Sequence, residues 1–311
     1  MYKAFFHLTK SPFDLTPDPS CFVPTTRHNE ALAALYYGVR RHKGFVVVTG
    51  EVGTGKTLLL RCLLRLLEDS KDIAYAYVFN SRLTATEFLM YVLADFGLRP
   101  SGKNKAEMLF ELSQFLVSRG TRGMTTVLVI DEAHLLSADL LEEVRLLSNL
   151  ETFDDKLLQI VMVGQPELDL ILDSVDLRQL KQRIALRTHL TALTEDEALR
   201  YIEQRMRIAS ADPEQPSPFS RQAVTAIHRY ARGLPRWINT LCENSLITAY
   251  ARQTPTITPE IVASVATELR IETSRFTENG ASHSLPQTEP IIDSLLDFAD
   301  PAEESTTRRH R

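Results

Sequence analysis

The chain has 311 residues, of which 44% are hydrophobic and 24% charged, as is usual for a globular protein of two domains or of one domain with an appendage. Its net charge of −5 argues against a surface that attracts nucleic acid as a whole. No apolar run approaches the roughly 18 residues of a transmembrane helix, and the N-terminal segment is too short and too polar for a signal peptide. We therefore expect a cytoplasmic protein without a transmembrane segment. For its three widely spaced cysteines, Cys21, Cys62 and Cys242, we expect buried thiols in a reducing compartment.

Residues 1–44 are rich in aromatic residues and proline, which indicates an ordered N-terminal arm rather than a flexible linker. The arm leads into a helix predicted over Arg27 to Arg41, because apolar residues there recur at helical spacing. Two interpretations stay open for the arm. It packs on the core, or part of it also forms a wall of the ligand site described next.

An apolar, β-branched run from Phe45 to Val48 predicts a buried parallel strand, and leucines at helical spacing follow a glycine-rich turn. The turn and the start of the helix fit the phosphate-binding pattern G-x-x-x-x-G-K-[ST]. Such a turn leaves backbone N–H groups open to a phosphate chain, and the following helix directs its positive end at the same place. The residues assigned to nucleotide binding are Gly50, Glu51, Val52, Gly53, Thr54, Gly55, Lys56, Thr57 and Leu58.

This pattern predicts ATP and Mg²⁺ as cofactors. Lys56 is expected to reach the β- and γ-phosphates, and the hydroxyl of Thr57 to ligate Mg²⁺. The alternative, a glycine-rich turn that matches by chance, is disfavoured because a strand precedes the turn and a helix follows it.

Four further strands are predicted at Ile73–Phe79, Thr125–Ile130, Leu157–Val163 and Ala185–Leu190, with helices between them. A chain of alternating strands and helices favours an α/β fold with a parallel sheet covered on both faces. The segment from 168 to 183 is predicted to be mostly helical, with a break near Ser174. We place this α/β core at residues 45–191.

The third of these strands ends in Asp131 and Glu132. We expect Asp131 to hold the Mg²⁺ shell and Glu132 to act as general base on the attacking water. The alternative is an acidic pair that only stabilises the start of a helix. The string D-E-A-H also occurs in helicases, but no later arginine-rich helicase motif follows, so we interpret His134 as a local polar contact.

Two further kinds of side chain are candidates for sensing or stabilising the γ-phosphate. Gln165 ends the fourth strand and is a candidate to lie between the phosphate loop and Glu132. The alternative is that the side-chain amide of Gln165 only hydrogen-bonds to the backbone of a turn. An arginine just before the fifth strand could reach the nucleotide of a neighbouring subunit and neutralise charge in the transition state. Arg183 is the first choice and Arg178 the second, against the alternative of a solvated surface arginine.

After Thr191 the pattern becomes purely helical, which predicts a helical lid over residues 192–270. Arg236, in the string G-L-P-R, is expected to touch the γ-phosphate, so that the lid angle depends on the bound nucleotide. Residues 271–311 carry eight acidic residues and four arginines and are predicted to be disordered. Within this acidic tail, residues 290–299 have an amphipathic pattern, which indicates either a docking motif or a weak helix on the body.

The motifs G-E-V-G-T-G-K-T, V-L-V-I-D-E-A-H, V-G-Q-P-E-L and G-L-P-R occur in the order found in AAA+ ATPases. The opening M-Y-x-x-F-F-x-L-x-x-x-P-F-x-L-T-P-D-P resembles more specifically the ExeA-like branch, bacterial ATPases of general secretion and related pilus or exopolysaccharide systems. The resemblance covers about residues 1–270. It implies a P-loop AAA+ core with a five-stranded parallel sheet, an all-helical lid, ATP hydrolysis and a homo-oligomer.

The resemblance also implies a protein partner in an envelope or export machine, and a cytoplasmic protein that reaches the inner membrane only through that partner. The amphipathic pattern of residues 290–299 makes them a candidate contact for this partner. Secretion members of the branch often continue into a transmembrane helix and a peptidoglycan-binding domain, which this sequence does not contain. Two other functions stay open: a DNA-dependent regulator of the TniB type, for which clusters of arginines are candidate contacts, and a slow nucleotide-switched scaffold. Those arginines are Arg200, Arg205, Arg207, Arg221, Arg229 and Arg232.

Overall fold

The computed structural model describes residues 1–16, 18–79, 83–152, 155–212 and 214–271. The predictions of a disordered tail and of a docking motif at residues 290–299 lie outside the described residues, apart from residue 271. Within the described ranges, no helix is long and apolar enough to cross a membrane.

Five strands form one parallel sheet. They are β1 (Phe45–Gly50), β2 (Ile73–Val78), β3 (Thr125–Ile130), β4 (Gln159–Gly164) and β5 (Ile184–Leu190). Their order across the sheet is β2-β3-β4-β1-β5, so β1 lies between β4 and β5. Every residue of β1, β3 and β4 is buried, as expected for strands covered on both faces. The predicted fold class, a five-stranded parallel sheet with helices, is confirmed.

Within the part of the chain that the structure describes, seven α-helices accompany the sheet. They are α2 (Thr26–Arg40), α3 (Lys56–Glu68), α4 (Ala85–Asp95), α5 (Lys105–Gly120), α6 (Ala138–Leu147), α7 (Glu167–Leu172) and α8 (Arg178–Lys181). Leucines of α2 and α3 pack with Val46 and Val48 on one face of the sheet. The α4, α5 and α6 helices pack with Phe45 and Val47 on the other. Alternate side chains of β1 thus enter two separate cores.

The predicted break near Ser174, in the mostly helical segment from 168 to 183, is confirmed. The chain forms two short helices, α7 and α8, separated by residues 173–177. Asp173 and Ser174 follow the end of α7, and Leu177 turns its buried side chain inward before α8 begins. One continuous helix would place Leu172 and Leu177 on different faces, whereas both are buried in the same core.

The helical region contains α9 (Glu195–Ala209), α10 (Arg221–Ala231), α11 (Pro235–Ala251) and α12 (Pro259–Glu268). Thr194 caps α9 in a reciprocal capping box with Glu197, as its sequence predicts. Pro235 occupies the first turn of α11, where its missing N–H costs no hydrogen bond. These four helices enclose a third hydrophobic core.

The N-terminal arm packs into this third core rather than onto the sheet. The arm begins with α1 (Tyr2–Phe5), and its Phe6, Leu8 and Phe13 are buried among the lid helices. Phe13 meets Phe219 edge to face at a centroid distance of 5.8 Å. Phe22 and α2, at the end of the arm, pack on the α/β core. The arm and the lid therefore form one packing unit.

Arg205 of α9 joins the lid to the arm. It is 5% exposed and donates to the carbonyl oxygens of Pro12 (2.6 Å), Cys21 (3.1 Å) and Asp14 (3.3 Å). Its guanidinium also lies 5.7 Å from the ring centre of Tyr201. The suggestion that Arg205 belongs to a DNA-binding surface is therefore wrong, because its donors are already used inside the protein.

Replacing Arg205 with alanine is expected to lower the free energy of unfolding by about 3 kcal/mol, because three carbonyl oxygens of the arm lose the donor that the buried guanidinium provides. Urea unfolding followed by circular dichroism measures this. Arg200→Ala, at an exposed site on the same helix, is the control and is expected to change stability by less than about 0.5 kcal/mol. An equal loss in both variants would contradict a structural role for the Arg205 contacts.

The cysteines agree only in part with expectation. Cys62 and Cys242 are buried, and burial raises the pKa of the Cys62 thiol to about 11. Cys21 is half-buried and lies 3.5 Å from the ammonium of Lys10. The expectation of three buried thiols is therefore wrong for Cys21, which lies in the surface part of the arm.

Candidate functional site

The phosphate-binding pattern forms a tight loop between β1 and α3. Lys56 is the first residue of α3, and its ammonium donates to the carbonyl oxygens of Gly50 (2.7 Å) and Glu51 (2.9 Å). Burial lowers the pKa of Lys56, while the nearby carboxylates of Glu132 and Asp131 act in the opposite direction. Among the described residues, no side chain caps the start of α3. The first N–H groups of this helix therefore stay open to a ligand held by the loop.

The loop passes directly beneath the start of α11. Gly53 has a φ of +86°, and a Cβ at this position would lie 2.8 Å from the Cβ of Arg236. The amide of Arg236 donates to the carbonyl oxygen of Gly53 at 3.2 Å. This contact between the loop and the lid therefore depends on glycine, which provides both the backbone conformation and the space.

Arg236 itself is exposed and lines the same cleft as Lys56 and Thr57. The turn before Arg236 packs against the backbone of Leu193, which follows the last strand of the core. Gly233 has a φ of +69°, and a Cβ there would lie 2.2 Å from the carbonyl oxygen of Leu193. The amide of Leu193 in turn donates to the carbonyl oxygen of Gly233 at 2.8 Å. The position of Arg236 is thus set at the junction of core and lid.

Asp131 lies at the C-terminal end of β3, beside the loop. Its Oδ2 accepts from the hydroxyls of Thr57 (3.3 Å) and Tyr77 (2.9 Å), and its Oδ1 accepts from the amide of Glu132 (2.9 Å). The phenol of Tyr77 is half-buried, and burial together with the Asp131 charge raises its pKa well above the usual range. Tyr77 therefore remains a neutral donor that orients the Asp131 carboxylate.

Glu132, His134 and Gln165 form a chain of polar contacts at the edge of the cleft. Oε2 of Glu132 lies 3.4 Å from Nδ1 of His134, and Nε2 of His134 lies 2.9 Å from the side-chain nitrogen of Gln165. Glu132 has a φ of +53°, an unusual backbone conformation for a residue with a side chain. His134 makes local polar contacts, as predicted, and these contacts also connect Glu132, the candidate base, to Gln165, the candidate γ-phosphate sensor.

His28 of α2 supports the loop from below. Its Nε2 lies 2.9 Å from the carbonyl oxygen of Thr54, and its Nδ1 lies 2.8 Å from the hydroxyl of Thr25. Burial lowers the pKa of His28, which favours the neutral imidazole. Neither His28 nor Tyr77 was among the residues predicted from sequence, because neither belongs to the phosphate-binding pattern or to the acidic pair at the end of β3.

The phosphate loop, Glu132, Gln165 and Arg236 line a cleft of about 290 Å³ between the core and the lid. The arm contributes Asp14, Leu15, Thr16 and Asp18 to its wall. The cleft thus combines the phosphate loop, the end of β3 and the start of α11 with a wall of the arm. Its full lining is Asp14, Leu15, Thr16, Asp18, Val52, Gly53, Gly55, Lys56, Thr57, Leu58, Glu132, Gln165, Tyr201, Arg205, Pro235, Arg236 and Asn239.

The residues present fit a magnesium nucleotide. The hydroxyl of Thr57 and the carboxylate of Asp131 are hard oxygen ligands, and Mg²⁺ typically takes one or two of these and completes its shell with phosphate and water. No group of three or more His, Cys, Asp or Glu side chains that could hold a metal alone occurs in the described part of the chain.

Two candidate arginines lie away from this cleft. Arg183 precedes β5, whose first residue pairs with Phe45 at the start of β1, so it lies at the opposite edge of the sheet from the loop. There its Nη1 donates to the hydroxyl of Ser148 at 2.6 Å. Arg178 is exposed on α8. Neither arginine acts on the nucleotide of its own chain in this arrangement, and action on a neighbour's nucleotide stays a prediction.

Comparison with known proteins agrees with this geometry. Residues 39–172 match the AAA domain family. General secretion pathway protein A of Aeromonas hydrophila is 42% identical over 253 residues, which cover 81% of this chain and 45% of that protein. The chain thus spans less than half the length of this relative.

Solved structures share the fold at low sequence identity. Cdc6p of Pyrobaculum aerophilum has a TM-score of 0.64 and 20% identity over 83% of this chain and 70% of that one. The ORC2 protein of Aeropyrum pernix has a TM-score of 0.61 and 17% identity over 83% and 71%. The branch migration motor RuvB of Thermotoga maritima has a TM-score of 0.52 and 17% identity over 81% and 72%. These structures show a shared fold, and the 42% identity to General secretion pathway protein A over 81% of this chain places the chain in the AAA+ family, in its ExeA-like branch.

Proposed function

We propose that this chain binds ATP with Mg²⁺, hydrolyses it, and uses the change in nucleotide to move the lid and arm relative to the core. The observation that carries the proposal is the convergence of three distant segments on one cleft. Thr57 meets Asp131 at 3.3 Å, and Arg236 meets the loop at Gly53. A loop that only connected a strand to a helix would need neither contact.

The chemistry follows from the position of each group. The loop amides and Lys56 bind the phosphates, while Thr57 and Asp131 would hold Mg²⁺, which would neutralise charge on the phosphate oxygens. Glu132 orients a water and takes its proton as that water attacks the γ-phosphorus, and the bond from this phosphorus to the β–γ bridging oxygen breaks to release ADP and phosphate. Gln165 contacts His134, which lies beside Glu132, so it would respond to the state of the γ-phosphate at that place. Arg236, which belongs to the lid, contacts the γ-phosphate. This contact is lost after hydrolysis, and the lid can then move relative to the core.

We further propose that this cycle drives the assembly or operation of a secretion, pilus or exopolysaccharide export machine. The similarity to a general secretion pathway protein over most of this chain supports that process. In this proposal the protein acts as a homo-oligomer on the cytoplasmic side and reaches the inner membrane through a protein partner. Arg183, at an edge of the sheet away from its own cleft, would then serve the neighbouring subunit.

Purified protein tests the proposal directly. Calorimetric titration with ATP and Mg²⁺ is expected to show saturable binding, and phosphate release is expected to follow at a rate that rises as subunits assemble. Absence of binding would overturn the proposal. Retardation of DNA at low salt, with ATP turnover that depends on DNA, would instead favour the regulator of the TniB type.

Changing Arg236 to alanine is expected to weaken ATP binding about tenfold, because one charged contact to the γ-phosphate is lost, and to leave ADP binding nearly unchanged. Fluorescent-nucleotide titration measures both affinities. Arg221→Ala, at an exposed site on α10, is the matched control. Equal weakening of ATP and ADP would show that Arg236 does not distinguish the γ-phosphate.

A further inference from the structure

A second groove opens on the lid, on a different surface from the nucleotide cleft. We call it the Trp237 groove, and its volume is about 350 Å³. Trp237, the single tryptophan of the sequence, is 43% exposed in it. Its lining is Tyr230, Ala231, Arg232, Leu234, Trp237, Leu269, Arg270 and Ile271. Apolar side chains make up most of this lining and two arginines complete it, which suits an occupant with apolar and acidic side chains.

The end of α12 directs the chain into this groove. Arg270 has a φ of +55°, and the amide of Ile271 donates to the carbonyl oxygen of Ala266 at 2.8 Å. This bond closes a Schellman turn after Leu269, in which Ile271 folds back on the last turn of the helix. Ile271, the last residue that the structure describes, itself lines the groove, so the sequence that follows is covalently attached there.

The sequence that follows contains one segment of the matching chemistry. In residues 290–299, P-I-I-D-S-L-L-D-F-A, apolar side chains recur at helical spacing at Ile292, Leu295, Leu296 and Ala299. Asp293 and Asp297, four residues apart, would lie together beside that apolar face. An amphipathic helix with this pattern fits a hydrophobic groove, and its carboxylates complement Arg232 and Arg270.

We propose that residues 290–299 dock into the Trp237 groove of their own chain. The 18 residues from 272 to 289 provide enough reach, because a flexible linker of that length has a root-mean-square span of roughly 23 Å. Tethering at such a distance corresponds to an effective concentration of about 1 mM. A segment that binds in trans with a Kd of about 100 µM would then occupy the groove about nine-tenths of the time.

Docking of the tail has a consequence for partners. Trp237 follows Arg236 on α11, so the groove and the nucleotide cleft share one helix. A protein that binds this face of the lid must first displace the tail. The proposal does not depend on ATP hydrolysis and can be tested without nucleotide.

The fluorescence of Trp237 in the full chain provides the test. The double change Leu295→Ser and Leu296→Ser is expected to shift the emission to longer wavelength. It is also expected to raise the fraction of molecules quenched by iodide from about one-tenth to nearly all. Phe276→Ser, which removes an apolar side chain from the linker, is the control and is expected to leave both readings unchanged. Arg270→Glu is expected to act in the same direction as the double change, and added salt is expected to weaken docking.

Two results would overturn the proposal. Identical emission and quenching in the parent and the Leu295/Leu296 variant would show that the tail does not cover Trp237. Protection of Trp237 that grows with protein concentration would show that the tail binds a second copy, because docking within one chain is independent of concentration.

Discussion

Replacing Glu132 with glutamine is expected to lower the rate of ATP hydrolysis by about two to three orders of magnitude while ATP binding stays intact. Glutamine keeps the size of the side chain and its contact with His134, but it cannot take a proton from water. Phosphate release measured at saturating ATP gives the rate, and fluorescent-nucleotide titration gives the affinity. The variant should therefore accumulate in the ATP-bound form.

Glu142→Gln provides the control, since Glu142 pairs with Arg145 on the surface of α6 and lies outside the cleft. Unchanged turnover in Glu132→Gln would remove Glu132 as the base. The same variant separates a motor from a slow nucleotide-switched scaffold. A scaffold retains its cellular activity when hydrolysis is lost, whereas a motor does not.

Replacing Lys56 with alanine is expected to weaken ATP binding by about 100-fold, which corresponds to the loss of about 3 kcal/mol of charge-assisted hydrogen bonds to phosphate. The loss is larger than that expected for Arg236, because Lys56 is buried at the centre of the loop and interacts with the phosphates in a less polar environment. Isothermal titration with ATP and Mg²⁺ measures the change.

The Lys56 variant needs a check on folding, because the ammonium also binds the carbonyl oxygens of Gly50 and Glu51. Lys56→Arg keeps the charge but not the shape, and is expected to recover only part of the affinity. Lys71→Ala, at an exposed site after α3, is the control. If Lys56→Ala bound ATP as tightly as the parent, the loop would not be the phosphate site.

Much of the fold could be predicted from sequence, because its signals are local. The β1 run, the glycine-rich turn and the leucines of α3 follow each other within about twenty residues, and each has a distinct period or spacing. The end of β3 was also predictable, since parallel strands bring their C-terminal ends to one edge. The structure places Thr57 and Asp131 together there, as that rule requires.

Other parts of the site could not be predicted, because they depend on single residues far apart in the chain. His28 reaches Thr54 from a different helix, and Tyr77 reaches Asp131 from a neighbouring strand. Neither residue belongs to a repeating pattern. The burial of Arg205 could not be predicted either. Because α9 is rich in charged residues, Arg205 was grouped with surface arginines, and only its hydrogen bonds to carbonyl oxygens of the arm explain why it is buried.

The shared core of arm and lid has a consequence for how the protein is synthesised. Pro12 and Arg205 are 193 residues apart, so the partner of the arm leaves the ribosome long after the arm itself. Until then Phe6, Leu8 and Phe13 have no hydrophobic core to enter. The nascent chain therefore exposes an aromatic segment throughout the translation of the sheet, and molecular chaperones that recognise such segments have most of the elongation time to bind it.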